Sequence, residues 1–234
     1  MRVIAGKQVL TELSELVDPA HTALVVIDMQ RDFLEPDGVV ASLGVDLSVY
    51  NTVRQGVKTL ISSARGAYVP VLHVQNTTLP GGMSDSPAQL HFTAIMHSDA
   101  RRGAPPVAYT VAGTRGHEFV AEAQPLDGEV VVRKHRSSAF WGTDLAQILR
   151  SNGIAAIVIA GCTTEGCVES TARDALFNDF YVVVAEDCVG SDDAAQHEAS
   201  LFLMRHRFDV VNSTRIRQSW STTVASLPSP GPRQ

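Results

Sequence analysis

The feature that most constrains this chain is a set of six short apolar, β-branched runs separated by longer amphipathic segments. The runs are Ala23–Ile27, Tyr68–Val74, Glu129–Arg133, Ile154–Ala160, Tyr181–Ala185 and Phe208–Val211. Several are apolar at nearly every position, as a strand buried on both faces must be, and such strands belong to parallel sheets covered by helices. Between them Val49, Val53, Val57, Leu60, Ile61 and Ala64 recur at helical spacing, with Gly66 as a stop. Thr143 is placed to cap a helix carrying Asp144, Leu145, Ile148 and Leu149, and Gly153 ends it. Val168, Ala172, Ala175 and Leu176 form a third stripe. Ser191, Asp192 and Asp193 open a fourth helix containing Ala195, Ala199, Phe202, Leu203 and His206. Strands alternating with helices require right-handed crossovers, so the expected fold is α/β: a three-layer α/β/α domain over residues 1–226 with a six-stranded, mostly parallel sheet.

One stretch breaks the rhythm. Asn76–Gly128 contains Leu79-Pro80-Gly81-Gly82, Ala104-Pro105-Pro106 and a helical segment expected from Ser86 to Arg102. A connection this long is usually functional or a subunit contact. The Pro/Ser-rich tail Leu227–Gln234 is expected to be disordered.

Composition narrows the function classes. Nineteen Lys and Arg against 25 Asp and Glu give a net charge of −6, with no basic run of the kind a nucleic-acid face needs. No apolar stretch approaches the roughly 18–20 residues of a membrane span, and no charged-then-apolar leader opens the chain. Three Cys at no framework spacing read as free thiols in a reducing compartment. A cytoplasmic protein with a small-molecule partner, and neither nucleic acid nor membrane, is the expectation.

Ligands of open α/β sheets bind at the carboxyl ends of strands. The first run is followed by Asp28, the third by Lys134, and the fourth by Gly161-Cys162-Thr163-Thr164-Glu165-Gly166-Cys167. A thiol reacts as thiolate, and its ordinary pKa of roughly 8.5 falls at a helix N-terminus or beside a cation. Cys167 stands where a helix begins, so Lys134 and the helix end are expected to favour its charged form. Asp28 can take the thiol proton and return it to a leaving group. Singly, each residue reads as an inert core thiol, a turn former or a solvated strand end; the combination carries the argument.

Three motifs resemble the isochorismatase-like cysteine hydrolases: Val-Val-Ile-Asp-Met-Gln-Arg-Asp-Phe at 25–33, Arg-Lys-His-Arg-Ser-Ser-Ala-Phe-Trp-Gly-Thr at 133–143, and Gly-Cys-Thr-Thr-Glu-Gly-Cys-Val-Glu-Ser-Thr-Ala-Arg-Asp-Ala at 161–175. The resemblance covers about residues 20–215. It implies a Rossmann-like fold, an Asp28, Lys134 and Cys167 triad, a cis peptide between Cys162 and Thr163, an oxyanion hole from the N–H groups of Thr163 and Cys167, and a homo-oligomer, dimer or tetramer. The segments Ser138–Thr143, Asp187–Gly190 and His197–Phe202 resemble the N-carbamoylsarcosine, maleamate and ureidoacrylate amidohydrolase branch. True isochorismatases of this superfamily lack the cysteine, so its presence points to acyl transfer at an amide, ureido or carbamoyl C–N bond.

Metal-dependent nicotinamidases carry an Asp-x-His segment. None of the eight His (His21, His73, His91, His97, His117, His135, His197, His206) sits in one, and His91 and His97 face different sides of their segment. No metal and no cofactor are expected. Phe33 and Trp141 follow catalytic strand ends and are expected to wall the pocket. Gln30 is expected to orient Asp28 or a ligand, and Arg136 to pair with a substrate carboxylate, with Arg101 and Arg102 as weaker candidates. Cys162 and Cys188 read as structural. A non-catalytic binder on the same scaffold, a Cys162–Cys167 redox pair and a nicotinamidase-type metal amidase are the alternatives.

Overall fold

The structure, a computed structural model, describes residues 1–93 and 108–226. An antiparallel hairpin, β1 (Arg2–Ile4) and β2 (Lys7–Val9), and a short helix α1 (Leu13–Leu16) precede the sheet. Strand β3 (Thr22–Ile27) leads through two single-turn helices, α2 (Arg31–Leu34) and α3 (Val39–Ser42), into α4 (Val49–Gly66). After β4 (Val71–Asn76) comes the insert with α5 (Pro87–His91), then β5 (Val130–Lys134), α6 (Leu145–Ser151) and β6 (Ala156–Cys162). The chain finishes with α7 (Glu169–Phe177), β7 (Tyr181–Gly190), α8 (Ala194–Met204), β8 (Asp209–Val211) and α9 (Ser213–Ser226).

The main sheet has six strands in the order β5-β4-β3-β6-β7-β8, every pair parallel. Successive side chains of a strand point to opposite faces, and β3 shows the consequence. Leu24 and Val26 join a core with α4 and α9, whereas Ala23, Val25 and Ile27 join one with α6, α7 and α8. The same alternation divides Val158 and Ala160 from Ile157 and Ile159 in β6. Each fully buried Val, Leu or Ile contributes about 1.5–3 kcal/mol, so a doubly covered central pair is the rigid part of the molecule. The chain moves outward from β3 to β5, returns to lay β6 on the other side of β3, and then moves the opposite way. The switch point lies between β3 and β6.

All six runs are strands. The helix expected from Ser86 is present where it can be described: the Ser86 hydroxyl accepts from the Gln89 N–H at 3.2 Å, α5 runs to His91, and Phe92 and Thr93 continue as a wider helical turn. Its continuation towards Arg102, with His97, Arg101 and the 227–234 tail, lies outside the described residues. Thr143 is one residue out: Asp144 is the cap of α6, and the Thr143 hydroxyl accepts from Leu145 N–H at 3.3 Å. Asp193 caps α8 through Gln196 N–H at 3.0 Å. The buried face of α8 is Ser200, Leu201 and Met204, leaving Phe202 and Leu203 outside, so the stripe read from hydrophobicity was turned away from the true one. Helix α9 has no matching stripe among those read from the sequence. It buries Ile216 and Trp220, and the Trp220 indole N–H donates to Val17 O at 2.8 Å. Among the described residues no helix is long and apolar enough to cross a membrane.

Candidate active site

Asp28 is the first residue past β3. It sits at a positive φ of 51° and its N–H donates to Val74 O at 3.0 Å. Lys134 is the last residue of β5, in register with Asn76 at the end of β4. Cys167 lies in a π turn, Thr164–Val168, between β6 and α7, closed by Val168 N–H donating to Thr163 O at 3.1 Å. The two strands that meet at the switch point approach closely: at Gly161, φ 123°, a Cβ would land on the backbone of Ile27. Only glycine tolerates both that conformation and that contact.

These three side chains meet. The Lys134 ammonium is 2.8 Å from Asp28 Oδ2, donates to Cys167 Sγ at 3.2 Å and donates to Arg136 O at 3.0 Å. An ammonium has three N–H groups, and all three directions are taken. Asp28 and Lys134 are buried, while Cys167 keeps a partly accessible face. The Cys162 thiol donates to Asp28 O at 3.3 Å, tying β6 to the residue after β3. The Cys162–Thr163 peptide bond is cis and leads into the turn, so Thr163 and Cys167 stand at its entry and near its end.

Burial sets the protonation of the group. It pushes the Cys167 thiol up to about 12 against the pull of Lys134, and Asp28 adds to the rise. The sequence expectation that the helix end and Lys134 would leave this thiol acidic is therefore corrected. Burial acts on the thiol more strongly than Lys134 does. Burial also raises the Asp28 carboxyl, opposed by Lys134, which makes it a stronger base than an exposed carboxylate. Lys134 is held protonated: burial works against its charge, but Asp28 and Cys167 together outweigh it.

The expected substrate residues fare differently. Gln30 is fully buried and its amide is spent on the scaffold: Nε2 donates to Asn76 O and His117 O, both at 2.9 Å, and Oε1 accepts from Asn76 N–H at 2.8 Å. It stitches the returning insert to β4, which corrects the assignment of a ligand-facing role. The Arg136 guanidinium lies over the Trp141 ring at 5.7 Å and donates to Ser84 O at 3.0 Å, so Arg136 clamps the insert and only its carbonyl reaches Lys134. Trp141 is 62% exposed, flanking the site rather than enclosing it. Phe33 is half-buried against Tyr109, ring centroids 5.4 Å apart. Tyr109 lines a polar cavity of about 130 Å³ at the end of β4 with Asn76, Thr77, Gln89, Leu90 and His135.

Asn76 belongs to the same cluster, although its residue type alone does not mark it as functional. Its backbone N–H lowers the Asp28 carboxyl and its side chain donates to Thr110 Oγ1 at 2.8 Å. The available signal was its place at the end of an apolar run on the same edge as Asp28 and Lys134. Among the described residues no three His, Cys, Asp or Glu side chains converge as a metal-ligand set.

A model of the isochorismatase domain matches residues 22–216. The chain belongs to the isochorismatase family. Among family members it is 33% identical over 219 residues to ureidoacrylate amidohydrolase RutB of Enterobacter sp. (strain 638), covering 89% of this chain and 88% of that protein. The crystal structure of a cysteine hydrolase from Pseudomonas syringae pv. phaseolicola 1448A shares the isochorismatase fold at a TM-score of 0.75 and 22% identity, over 89% of this chain and 96% of that one. N-carbamoylsarcosine amidase from Thermoplasma acidophilum matches at a TM-score of 0.64 and 27% identity, over 82% of this chain and 96% of that one.

Proposed function

We propose that this member of the isochorismatase family is a cysteine amidohydrolase acting on a C–N bond of a small amide, ureide or carbamoyl compound. The observation that carries the reading is Lys134, whose ammonium touches both a buried carboxylate and a sulfur. Asp28 takes the Cys167 proton as sulfur attacks the carbonyl carbon. The developing oxyanion is met by the N–H groups of Thr163 and Cys167. As the C–N bond breaks, Asp28 returns the proton to the leaving nitrogen, and a thioester remains on Cys167. Water then attacks the thioester, Asp28 takes its proton, the C–S bond breaks, and sulfur recovers a proton as the acid departs. Lys134 stays charged throughout and balances whichever neighbour is anionic. None of these steps calls on a cofactor.

The ureidoacrylate and N-carbamoylsarcosine relatives support a ureido or carbamoyl substrate. The test is ammonia or amine release from a panel of amides, ureides and carbamoyl amino acids, with acid quenching and mass spectrometry of the Cys167 peptide. Turnover with a mass increment of the acyl group on Cys167 supports the reading. Turnover that persists in Cys167→Ala overturns it.

A further inference from the structure

We propose that helix α8 positions the nucleophile turn, and that His197 is the positioning residue, acting through Thr164. The proposal rests on the reading of Cys167 as nucleophile.

Thr164 directly follows Thr163, one of the two residues assigned to the oxyanion. It is fully buried, and its hydroxyl lies 2.8 Å from His197 Nδ1. Three residues further along α8, the Ser200 hydroxyl donates to Glu169 Oε2 at 2.5 Å and lies 3.3 Å from Thr164 O. The other oxygen of Glu169 accepts from Arg173 Nε at 2.8 Å and Nη2 at 2.5 Å. Positions 197 and 200 share a helix face. That face therefore grips the segment on both sides of Cys167, at Thr164 before it and at Glu169 after it.

Helix α8 is itself fixed independently of the site. Asp193 caps it, and Leu201 and Met204 are packed in the core with α6 and α7. The turn thus has its own main-chain closure and an outside reference that does not belong to the triad. Losing the His197 contact leaves a buried hydroxyl to seek another partner, which shifts the turn on which Cys167 Sγ meets Lys134 and on which both oxyanion donors are carried. A buried hydroxyl does not stay unpaired without cost, and a displacement of order 1 Å at reacting atoms costs about 10²-fold in rate.

Asn places its amide where the imidazole Nδ1 lies, whereas Gln reaches to the Nε2 position. His197→Asn is expected to keep most of the wild-type kcat. His197→Ala and His197→Gln should lose about 10- to 100-fold in kcat with KM near wild type. Thr164→Val should reproduce the loss, Thr164→Ser should not, and the His197→Ala/Thr164→Val double variant should be no worse than the poorer single one, as expected for two members of one contact. Thermal midpoints show which variants fold; if His197→Ala does not, the Asn and Gln pair and the two Thr164 variants decide.

The second readout is labelling of Cys167 by iodoacetamide at one fixed pH, followed by mass spectrometry. It should slow in His197→Ala and Gln and be preserved in Asn. If wild-type Cys167 labels selectively but all three His197 variants label and turn over alike, or if KM rises while kcat holds, the positioning role is overturned. If wild-type Cys167 labels no faster than Cys162 and Cys188, the nucleophile assignment itself fails, which is a separate result.

Discussion

Gly161 lies so close to Ile27 that no side chain fits between them, and the next residue on each strand, Cys162 and Asp28, are joined by a thiol-to-carbonyl hydrogen bond of 3.3 Å. Gly161→Ala must both adopt a φ of 123° and displace the β3 backbone. A strained conformation costs about 1–3 kcal/mol and overpacking a similar amount. The variant should lose roughly 2–6 kcal/mol in urea unfolding, and its activity should fall further than its folded fraction. Wild-type activity per folded molecule would show that the approach of β6 to β3 does not set the site.

Cys167→Ala should abolish turnover and leave the unfolding midpoint almost unchanged, because the half-buried residue is replaced by one of similar size. A substrate still hydrolysed by this variant at more than a trace rate removes Cys167 from the mechanism.

The two neighbours of the thiol act on it in opposite directions: Lys134 lowers it and Asp28 raises it. At a fixed pH near 8, Asp28→Asn should therefore speed alkylation of Cys167 even as turnover collapses for want of a proton carrier. Lys134→Ala should slow alkylation, and Lys134→Arg should restore part of the rate because the charge returns on a broader plane. Lys134→Ala should also destabilise the fold by about 3–5 kcal/mol, since Asp28 is left buried without its counter-charge. The same alkylation rate in all three variants would separate Cys167 electrostatically from its neighbours.

Acid stability should fall in two windows. Burial lowers the pKa of His73, which lies 2.9 Å from Glu129, so the unfolded chain binds the extra proton first and stability declines as pH drops below about 6.5. Glu129 is held at about 2 by Arg65, Leu126 N–H and His73 despite burial, so its contribution is present above 4.5 and is lost as pH falls from there towards 2. Screening at its solvent-facing edge leaves this second loss at roughly 1–2 kcal/mol. Urea midpoints against pH for wild type and Glu129→Gln test it; equal slopes between pH 4.5 and 2 refute the assignment.

Trp220→Ala should cost about 3–5 kcal/mol, because a fully buried ring and its bond to Val17 O are lost together. Urea unfolding checks the size. A near-neutral result would mean that α9 contributes little to the α4 face of the sheet.

How legible these features were in the residues follows from how local their causes are. A strand buried on both faces needs apolar residues everywhere, so β3 and β6 announced themselves, and the residues just past them drew attention as a matter of position. The face of α8 did not. Ser200 is buried because Glu169 and Thr164 meet it, whereas Phe202 stays exposed with the His206 ring beside it at 4.8 Å; hydrophobicity alone points the other way. Helix α9 is Ser- and Thr-rich, and its one clue is Ile216 four residues before Trp220. Gln30 looked like a ligand-facing amide because its two partners, Asn76 and His117, are 46 and 87 residues away. The upward push on the Cys167 thiol is hidden for the same reason: a place beside Lys134 is visible in the chain, but the extent to which the rest of the fold removes water is not.

The switch in strand order has a consequence for how the protein is made. Asp28 leaves the ribosome more than a hundred residues before Lys134, and Cys167 comes 33 residues after that. Until β5 docks against β4, the carboxyl after β3 has no ammonium to offset its burial, and until β6 lies against β3 there is no sulfur for either to touch. An interrupted translation product, or a fragment released by cleavage within the insert, therefore carries at most part of the constellation. The three groups therefore meet only once the chain has been made past Cys167 and β6 has docked against β3.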